Sequence, residues 1–279
     1  MLSNDIIKKI ENLVSQKPRS IQEIANSIGK NWRTADRYIE EIEKNFGTIS
    51  TRVFREGTRG ALKIVYWSSI EKAKSSAFQE QREKDILSGR GKEDFSPFDI
   101  FQHVEKNKSV IALTGKDENS LGLKNLKEIL LQAKRQIIIF SGNLSFINFG
   151  HNHEEIIKVF EELNRKNVSI KVISRVDISG KENIEKLLSI NSKYGKEIIE
   201  IRHRDQPIRA IIVDNNFFNI KEIKEPTGRE MELNKKVFLF YTIKDKEWVE
   251  WLSRVFWKMF SSSISAERRL EEIEKIKIR

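Results

Sequence analysis

The sequence GKNWRTADRYIEEIEKNFG, residues 29–47, decides the fold of the first part of the chain. Asn31 is a favourable helix N-cap, and the apolar residues after it recur every three or four positions, which predicts an amphipathic helix. The apolar face of this helix consists of Ala35, Tyr38, Ile39 and Ile42. The other face carries Arg33 and Arg37 near the amino end, so the segment predicts a helix that packs through one side and presents cations on the other.

Two further helices are predicted upstream of this segment. Isoleucine, leucine and valine recur at helical spacing from Asp5 onward, and Pro18 ends this first helix. Ser20 and Glu23 then form a capping-box pattern, and the short second helix is expected to end at Gly29. A short helix, a tight turn and a helix with early basic residues are typical of a helix-turn-helix, in which the last helix contacts the major groove.

A hairpin is predicted directly after the third helix. β-Branched and aromatic residues fill 48–55 and 61–67, and the segment Glu56-Gly57-Thr58-Arg59-Gly60 between them has the composition of a turn. A hairpin in this position is a wing. Positive charge is also densest in this part of the chain, since residues 1–67 hold 12 Lys and Arg against 8 Asp and Glu.

Residues 1–67 resemble the winged helix-turn-helix of archaeal transcriptional regulators, chiefly through the run from Asn31 to Tyr38 and the basic hairpin. The resemblance implies that the chain binds double-stranded DNA. The DNA-facing residues that we expect on this basis are Asn31, Trp32, Arg33, Thr34, Arg37, Tyr38, Arg52, Arg55, Arg59 and Lys63. Two alternatives stay open: Trp32 could equally pack against the core, and winged helices also serve as protein-interaction modules.

Residues 68–109 are predicted to form a helical connector. From Ser68 to Leu87, acids and bases interleave with a thin apolar stripe, which predicts a long solvated helix. Pro97 then favours a new helix start. The apolar face of that helix consists of Phe98, Ile100, Phe101 and Val104. A solvated linker and a seam between two copies of the chain are both compatible with this pattern.

The pattern changes beyond residue 110, where strands and helices alternate and predict parallel βαβ units. Strand-like runs then follow one another up to Thr242 and predict an antiparallel or mixed edge. The aromatic-rich helix from Lys244 to about Ser263 is expected to pack in the core, with a dimer interface as the alternative. The chain is therefore predicted to be an α/β multidomain protein, with a sheet domain at 110–265 and a charged, solvated helical tail at 266–279.

The run from His203 to Asp214 resembles the region of the phospholipase D superfamily that carries His-x-Lys and then, after four intervening residues, Asp. This chain has Pro207-x-Arg209-x4-Asp214 instead, in a single copy, whereas the enzymes pair two copies to complete one site. The histidine of that family is the nucleophile that forms a phospho-enzyme, and proline has no group that attacks phosphorus. We therefore expect the domain to be a degenerate phospholipase D-like domain without enzymatic activity.

A winged helix-turn-helix joined by a helical connector to such a domain is similar to the TrmB family of archaeal regulators, whose C-terminal domain senses small molecules. The likeness implies a homodimeric transcription regulator with an effector near the carboxyl ends of the parallel strands. The candidate ligand-binding residues are Ser141, Gly142, Asn143, Ser174, Arg175, Arg209 and Asp214. In the alternative interpretation, Arg209 and Asp214 form a buried ion pair that only stabilises the fold.

Composition excludes several classes of site. The chain has no cysteine, so it has neither disulfides nor thiol chemistry. His151 and His153 lack a convincing further ligand, and we expect no metal or other cofactor. Neither a signal peptide nor a membrane span is predicted, so a cytoplasmic protein is expected. The net charge of +10 favours a polyanionic partner, and a phospholipase D-type nuclease or a non-specific architectural DNA-binding protein are the alternative functions.

Overall fold

The computed structural model describes residues 2–55, 61–67, 75–114, 121–150, 154–226 and 236–277. Its first module packs helices on one face of a small antiparallel sheet, in which β3 lies between β1 and β2. The elements of this module are α1 (Asn4–Gln16), β1 (Arg19–Ser20), α2 (Ile21–Ile28), α3 (Trp32–Asn45), β2 (Ile49–Arg55) and β3 (Ala61–Trp67). The sequence predicts all of these elements except the two-residue strand β1.

Side-chain caps set the limits of the helices in this module. The backbone N–H and hydroxyl of Ser20 donate to the Glu23 carboxylate at 2.7 and 2.8 Å, and the Glu23 N–H donates to the Ser20 hydroxyl, which completes the predicted capping box. Gly29 ends α2 in the left-handed region, with φ of 67°, a conformation that favours glycine. The Asn31 side chain accepts the Thr34 N–H at 2.9 Å and starts α3, as predicted.

The three helices and the inner face of the sheet enclose one apolar core. Its fully buried members include Ile10 of α1, Ile24 of α2 and Ile39 of α3. Val65 of β3 closes the core from the sheet side. Because side chains alternate along a strand, the neighbours Leu62, Ile64 and Tyr66 point to the opposite face of this sheet. We call the β1-β3-β2 sheet the wing sheet and its β2–β3 hairpin the wing.

The connector contributes α4 (Ser75–Ser88) and α5 (Phe98–Phe101). The expectation of a solvated first helix is wrong for the described part of it. Gln79 and Ile86 of α4 are buried, and the ring of Phe78 meets that of Trp248 edge-on, with centroids 6.2 Å apart. Polar and aromatic residues make several of these contacts, which is why the apolar pattern did not reveal them.

Helix α5 begins after Pro97 as predicted and covers the outer face of the wing. All four of its residues are buried. Phe54 of the wing meets Phe98 edge-on, with ring centroids 6.2 Å apart, and Tyr66 lies 5.3 Å from the same ring. Since Phe101 in turn contacts Tyr241 of the sheet domain at 5.0 Å, the apolar packing runs from the wing through α5 into the sheet domain.

The sheet domain is built on a mixed sheet whose described strands run in the order β11-β7-β6-β5-β8-β9-β10-β4. Strands β5, β6 and β7 are parallel and the other pairs are antiparallel, as predicted. Its elements are β4 (Ser109–Thr114), α6 (Leu121–Leu131), β5 (Gln136–Phe140), α7 (Glu155–Arg165), β6 (Ser169–Ser174), α8 (Lys181–Tyr194), β7 (Ile199–His203), β8 (Ala210–Val213), β9 (Phe217–Lys224), β10 (Val237–Ile243), α9 (Lys246–Ser261), β11 (Ile264–Ser265) and α10 (Ala266–Lys277). The sequence analysis missed the edge strands β4 and β11.

Both faces of this sheet are covered. Ile138 and Phe140 of β5 enter the core that α9 and α5 share, whereas Ile137 and Ile139 enter the core under α7 and α8. The aromatic residues of α9 are core residues, as predicted, and Trp251 and Phe256 are buried among them. No helix in the described ranges is long and apolar enough to cross a membrane.

The tail is not the solvated helix that its charges predicted. Ala266, Leu270 and Ile273 are buried and pack with the core under α7 and α8. Their spacing of four and three residues places them on one face of α10. The sequence interpretation weighed the alternation of acids and bases and overlooked this narrow apolar face.

The buried face of α10 yields a test of the fold. Replacing Ile273 by Ala should lower the free energy of unfolding by about 2–4 kcal/mol, because the buried side chain leaves a cavity. The exposed neighbour in Glu271→Ala should change it by less than about 0.5 kcal/mol. Urea unfolding followed by circular dichroism measures both. Equal, small effects would mean that α10 does not pack as described.

Candidate nucleic-acid interface

The amino end of α3 and the turn before it carry three exposed cations, Lys30, Arg33 and Arg37, which we call the α3 cationic face. Within the described ranges, none of the three forms an ion pair. The guanidinium of Arg37 lies 5.5 Å from the ring centroid of Tyr38, which supports its side chain without neutralising it. The three charges are therefore free to meet an external anion.

The positive charges on this face lower the stability of the helix that carries them. Arg33 and Arg37 are four residues apart on one side of the helix, and such like-charge pairs cost about 0.2–0.5 kcal/mol. The first turn of α3 holds no acidic residue, although acids are favoured there by the helix dipole. A cationic amino end combined with free backbone N–H groups is an arrangement that binds a phosphate well.

The other expected contact residues of α3 divide between the two sides of the helix. Asn31 is exposed and serves as the N-cap, and Thr34 in the next turn is half-buried. Trp32 is half-buried and packs against the apolar core, so the structure favours the packing alternative for its ring. Tyr38 is only 8% exposed and belongs to the same core, which corrects the expectation that it faces a partner.

Two of the expected wing cations are committed to internal contacts. Lys63 points toward α3, where its ammonium lies 2.6 Å from an Asp36 carboxylate oxygen and 3.2 Å from one of Glu40. Burial opposes the charge of Lys63, but the two carboxylates raise its pKa overall. Lys63 therefore links the wing to α3 through these ion pairs. The expectation that it faces DNA is corrected.

Arg52 lies on the face of the wing that α5 covers. Its guanidinium lies 4.6 Å from the ring centroid of Phe101 and 5.7 Å from that of Phe54. This cation–π packing points Arg52 away from the α3 cationic face. The expectation that Arg52 faces DNA is therefore corrected. Arg55 lies at the end of β2, but its side chain is outside the described part, and Arg59 lies outside the described residues altogether.

Sequence reasoning missed Lys30 as a member of the interface. Its signal was its place in the tight turn, directly before the N-cap Asn31. The N–H of Lys30 donates to the Ala25 carbonyl at 3.0 Å, which fixes the turn beside the first residues of α3. The fixed turn places a third exposed charge beside Arg33.

Several candidate ligand residues meet at one cavity of about 270 Å³, the sheet cavity, beyond the carboxyl end of β5. Ser141, Gly142, Asn143 and Arg209 line it together with aromatic side chains, namely Phe146, Phe149, Phe238 and Phe240. A Cβ at position 142 would lie 2.7 Å from an Arg209 nitrogen, so a side chain there would displace the guanidinium from its present place. The sequence correctly grouped these four residues.

Arg209 is a desolvated cation. It donates to the carbonyls of Ile208 at 2.7 Å and Gln206 at 3.2 Å, and it forms no ion pair within the described ranges. Burial and the nearby Arg175 lower its pKa. An arginine keeps its charge under such conditions, and an unpaired buried charge attracts an anion.

Asp214 does not belong to this group. It lies at the opposite end of β8 and accepts the backbone N–H groups of Lys134, Arg135 and Gln136, each at 2.8 Å. Burial opposes its ionisation, but these three donors lower the pKa of Asp214 overall. The predicted ligand role and the predicted ion pair with Arg209 are both wrong for this residue.

The remaining candidates make other contacts. Arg175 pairs with Asp177 at 2.7 Å, and Ser174 donates to the Gly142 carbonyl at 3.0 Å, which holds the loop over β5. His203 accepts the Val176 N–H on Nδ1 at 2.9 Å. No metal-binding cluster occurs in the described ranges. His151 and His153, for which the sequence analysis expected no metal, lie outside them.

No family model matches the chain, and no curated protein matches it. Among solved structures, it is similar to Nuc from Salmonella typhimurium, a phospholipase D family member, at 12% identity and a TM-score of 0.41, over 56% of this chain and 97% of that one. NucT from Helicobacter pylori has 14% identity and a TM-score of 0.40, over 56% and 99%. The archaeal chromatin protein TrmBL2 has 16% identity and a TM-score of 0.36, over 95% and 94%.

The contacts of Asp214 predict a structural role that can be measured. Asp214→Asn should lower the free energy of unfolding at pH 7 by about 1–2 kcal/mol, because it weakens charge-assisted bonds from three N–H donors. The pKa is lowered in the folded state, so this stabilisation is present above the unfolded-state pKa of about 4 and is lost on acidification. The difference between variant and wild type should shrink below that pH in urea unfolding experiments.

The matched control is Asp205→Asn, which changes an exposed aspartate of the same domain. Its free energy of unfolding should stay within about 0.5 kcal/mol of wild type at every pH. A pH-independent loss in Asp214→Asn would contradict the role assigned to its charge.

Proposed function

We propose that this protein binds double-stranded DNA through the α3 cationic face and acts as a sequence-specific transcription regulator. The observation that carries the proposal is the set of unpaired charges at Lys30, Arg33 and Arg37, placed on the exposed side of a helix whose other side forms the core. In the same module, Arg19 and Lys63 pair with carboxylates and Arg52 stacks on Phe101. A helix that presents such a face after a tight turn fits the major groove of B-DNA.

The distribution of acids supports the same orientation. Asp36 and Glu40 are neutralised by Lys63 on the wing side of α3. Glu43 is held by Thr51, whose N–H and hydroxyl donate to it at 2.8 and 3.0 Å. These contacts reduce the repulsion that carboxylates of α3 would exert on phosphates, and they leave the amino end cationic.

The arginines of the α3 cationic face give the first prediction for this function. Arg33→Ala/Arg37→Ala should weaken binding to a selected duplex by about tenfold or more, since a good base contact contributes about 1–3 kcal/mol. Alanine favours helix, so the variant should fold normally. Fluorescence anisotropy with labelled DNA measures the affinity, and circular dichroism checks the fold.

Lys84→Ala/Lys106→Ala is the matched control, because it also removes two exposed cations without an ion pair in the described chain. Its affinity should stay within about twofold of wild type, since neither lysine belongs to the α3 cationic face and salt screens solvent-exposed charges. Equal losses in the two double variants would show that binding follows net charge and would contradict a role for α3.

We further propose that two copies act together, each placing one α3 in a major groove, with half-sites about one helical turn or a multiple apart. In this proposal the sheet domain sets the geometry of the dimer or responds to an effector, and the sheet cavity with Arg209 supports the second role. A genome-wide occupancy map should then show discrete peaks. Broad, even coverage would instead indicate a non-specific architectural protein.

We also propose that the protein has no phosphodiesterase activity. Pro207 supports this, because it stands where the phospholipase D pattern has its nucleophilic histidine. Within the described part, no histidine lines the sheet cavity, where Arg209 lies. Labelled DNA incubated with the purified protein should therefore remain intact with and without EDTA. Release of fragments in either condition would favour the nuclease alternative, and cleavage in EDTA would indicate a metal-independent nucleophile.

A further inference from the structure

A second cavity, of about 260 Å³, lies where the first module meets the sheet domain, and we call it the junction cavity. Lys17 and Gln22 line it from the first module, Ser96 from the connector, and Arg209 and Lys224 from the sheet domain. This cavity is distinct from the sheet cavity, although Arg209 borders both. Apart from Arg209, the proposed function uses none of the residues named here.

Gln22 is the clearest sign that the junction cavity is built for a ligand. Its side chain is only 5% exposed, and its amide nitrogen Nε2 has no hydrogen-bond partner in the described chain. Buried polar groups are normally paired, because an unsatisfied donor has lost its water without compensation. A hydrogen-bond acceptor in the cavity would remove this cost.

Two cations add uncompensated charge to the same walls. The ammonium of Lys17 donates to the backbone carbonyl of Glu93 at 2.7 Å and has no ion pair in the described ranges. Burial and the neighbouring Arg19 lower the pKa of Lys17, and this effect outweighs the opposite effect of Glu23 and Asp94. Arg209 on the opposite wall likewise contacts carbonyls alone.

The acids at the cavity have partners of their own. Glu222 accepts hydrogen bonds from Ser96 at 2.9 Å and Tyr241 at 2.7 Å, and it pairs with Lys224 at 3.1 Å. Glu225 pairs with Lys92 at 3.2 Å, and Glu23 is engaged in the capping box. Glu93, the remaining acid of the lining, is exposed and lies 3.9 Å from the ammonium of Lys92. Lys17 and Arg209 form no ion pair within the described chain.

We propose that the junction cavity binds a small metabolite with two anionic groups, which accept from Lys17 and Gln22 at one end and from Arg209 at the other. One cation stands on each side of the junction, so a dianion satisfies both. The volume lies just below the range of about 300–1,000 Å³ that is usual for ligand pockets, which restricts the ligand to a small molecule. Either a diphosphate or a dicarboxylate supplies this chemistry.

Isothermal titration calorimetry with the full chain tests the proposal, with pyrophosphate and succinate as separate probes at constant ionic strength. Wild-type protein should bind at least one of them with a stoichiometry of one per chain. Lys17→Met and Gln22→Met should each weaken that binding by about tenfold, since each removes a direct contact. The probe that binds identifies the anion class.

Asn143→Ala is the matched control, because Asn143 lines the sheet cavity and not the junction cavity. Its affinity for the probe should equal that of wild type. Loss of binding in Asn143→Ala with full binding in Lys17→Met would place the anion in the sheet cavity and overturn the proposal. Failure of wild type to bind either probe would overturn it as well.

Thermal unfolding of Gln22→Met gives an independent readout without any ligand. Methionine has a similar length and no donor, so the free variant should melt at a higher temperature than free wild type. At equal concentrations, the bound probe should raise the melting temperature of wild type by more than that of Gln22→Met, since the variant binds it about tenfold more weakly. A lower melting temperature of the free variant would show that the amide is satisfied and would contradict the role assigned to it. None of these measurements involves DNA, so they stand apart from the proposed function.

Discussion

The structure depends on the burial of both faces of the wing sheet. Val65 points into the helical core, and the neighbouring Leu62 and Ile64 point into the core that α5 shares with the sheet domain. Full burial of a large apolar side chain contributes about 1.5–3 kcal/mol, so this packing stabilises the position of the wing firmly. The amino end of α3 lies outside these cores and stays exposed, with Lys30, Arg33 and Arg37 free of ion pairs in the described chain.

This constraint also decides the use of each cation. Arg52 lies under α5 and stacks on Phe101, and Lys63 joins the wing to α3 through two carboxylates. Both residues therefore stabilise the module from within. The proposed DNA interface rests on Arg33 and Arg37, whose placement costs local helix stability. Gln22 of α2 lines the junction cavity, so a ligand there would contact a helix that packs directly against α3.

The local signals in the sequence were enough to predict most elements of the fold. The capping box at Ser20, the N-cap Asn31 and the left-handed Gly29 act within a few residues, and each appears in the structure as predicted. The packing of α4 and α10 was not predictable in the same way, because narrow apolar faces such as Leu270 and Ile273 gain meaning only from a distant partner. The two-residue strands β1 and β11 were missed for the same reason.

The candidate sites show the same division. Ser141, Gly142 and Asn143 follow the carboxyl end of β5, and Arg209 precedes the amino end of the antiparallel β8, so all four lie at the same edge of the sheet. Asp214 was misplaced, since β8 runs antiparallel to β5 and carries its two ends to opposite edges. The contacts of Arg52 and Tyr38 depend on which face of an element is covered, and the spacing of residues does not contain that information.

Hydrogen–deuterium exchange with and without duplex DNA tests the central claim most directly. The backbone N–H groups of the first turn of α3 have no partner within the helix and exchange readily unless a ligand covers them. On saturation with a specific duplex, the account predicts slower exchange in residues 30–37 and no change in β3, whose outer face lies under α5. Protection confined to the sheet domain, or none in the first module, would contradict it.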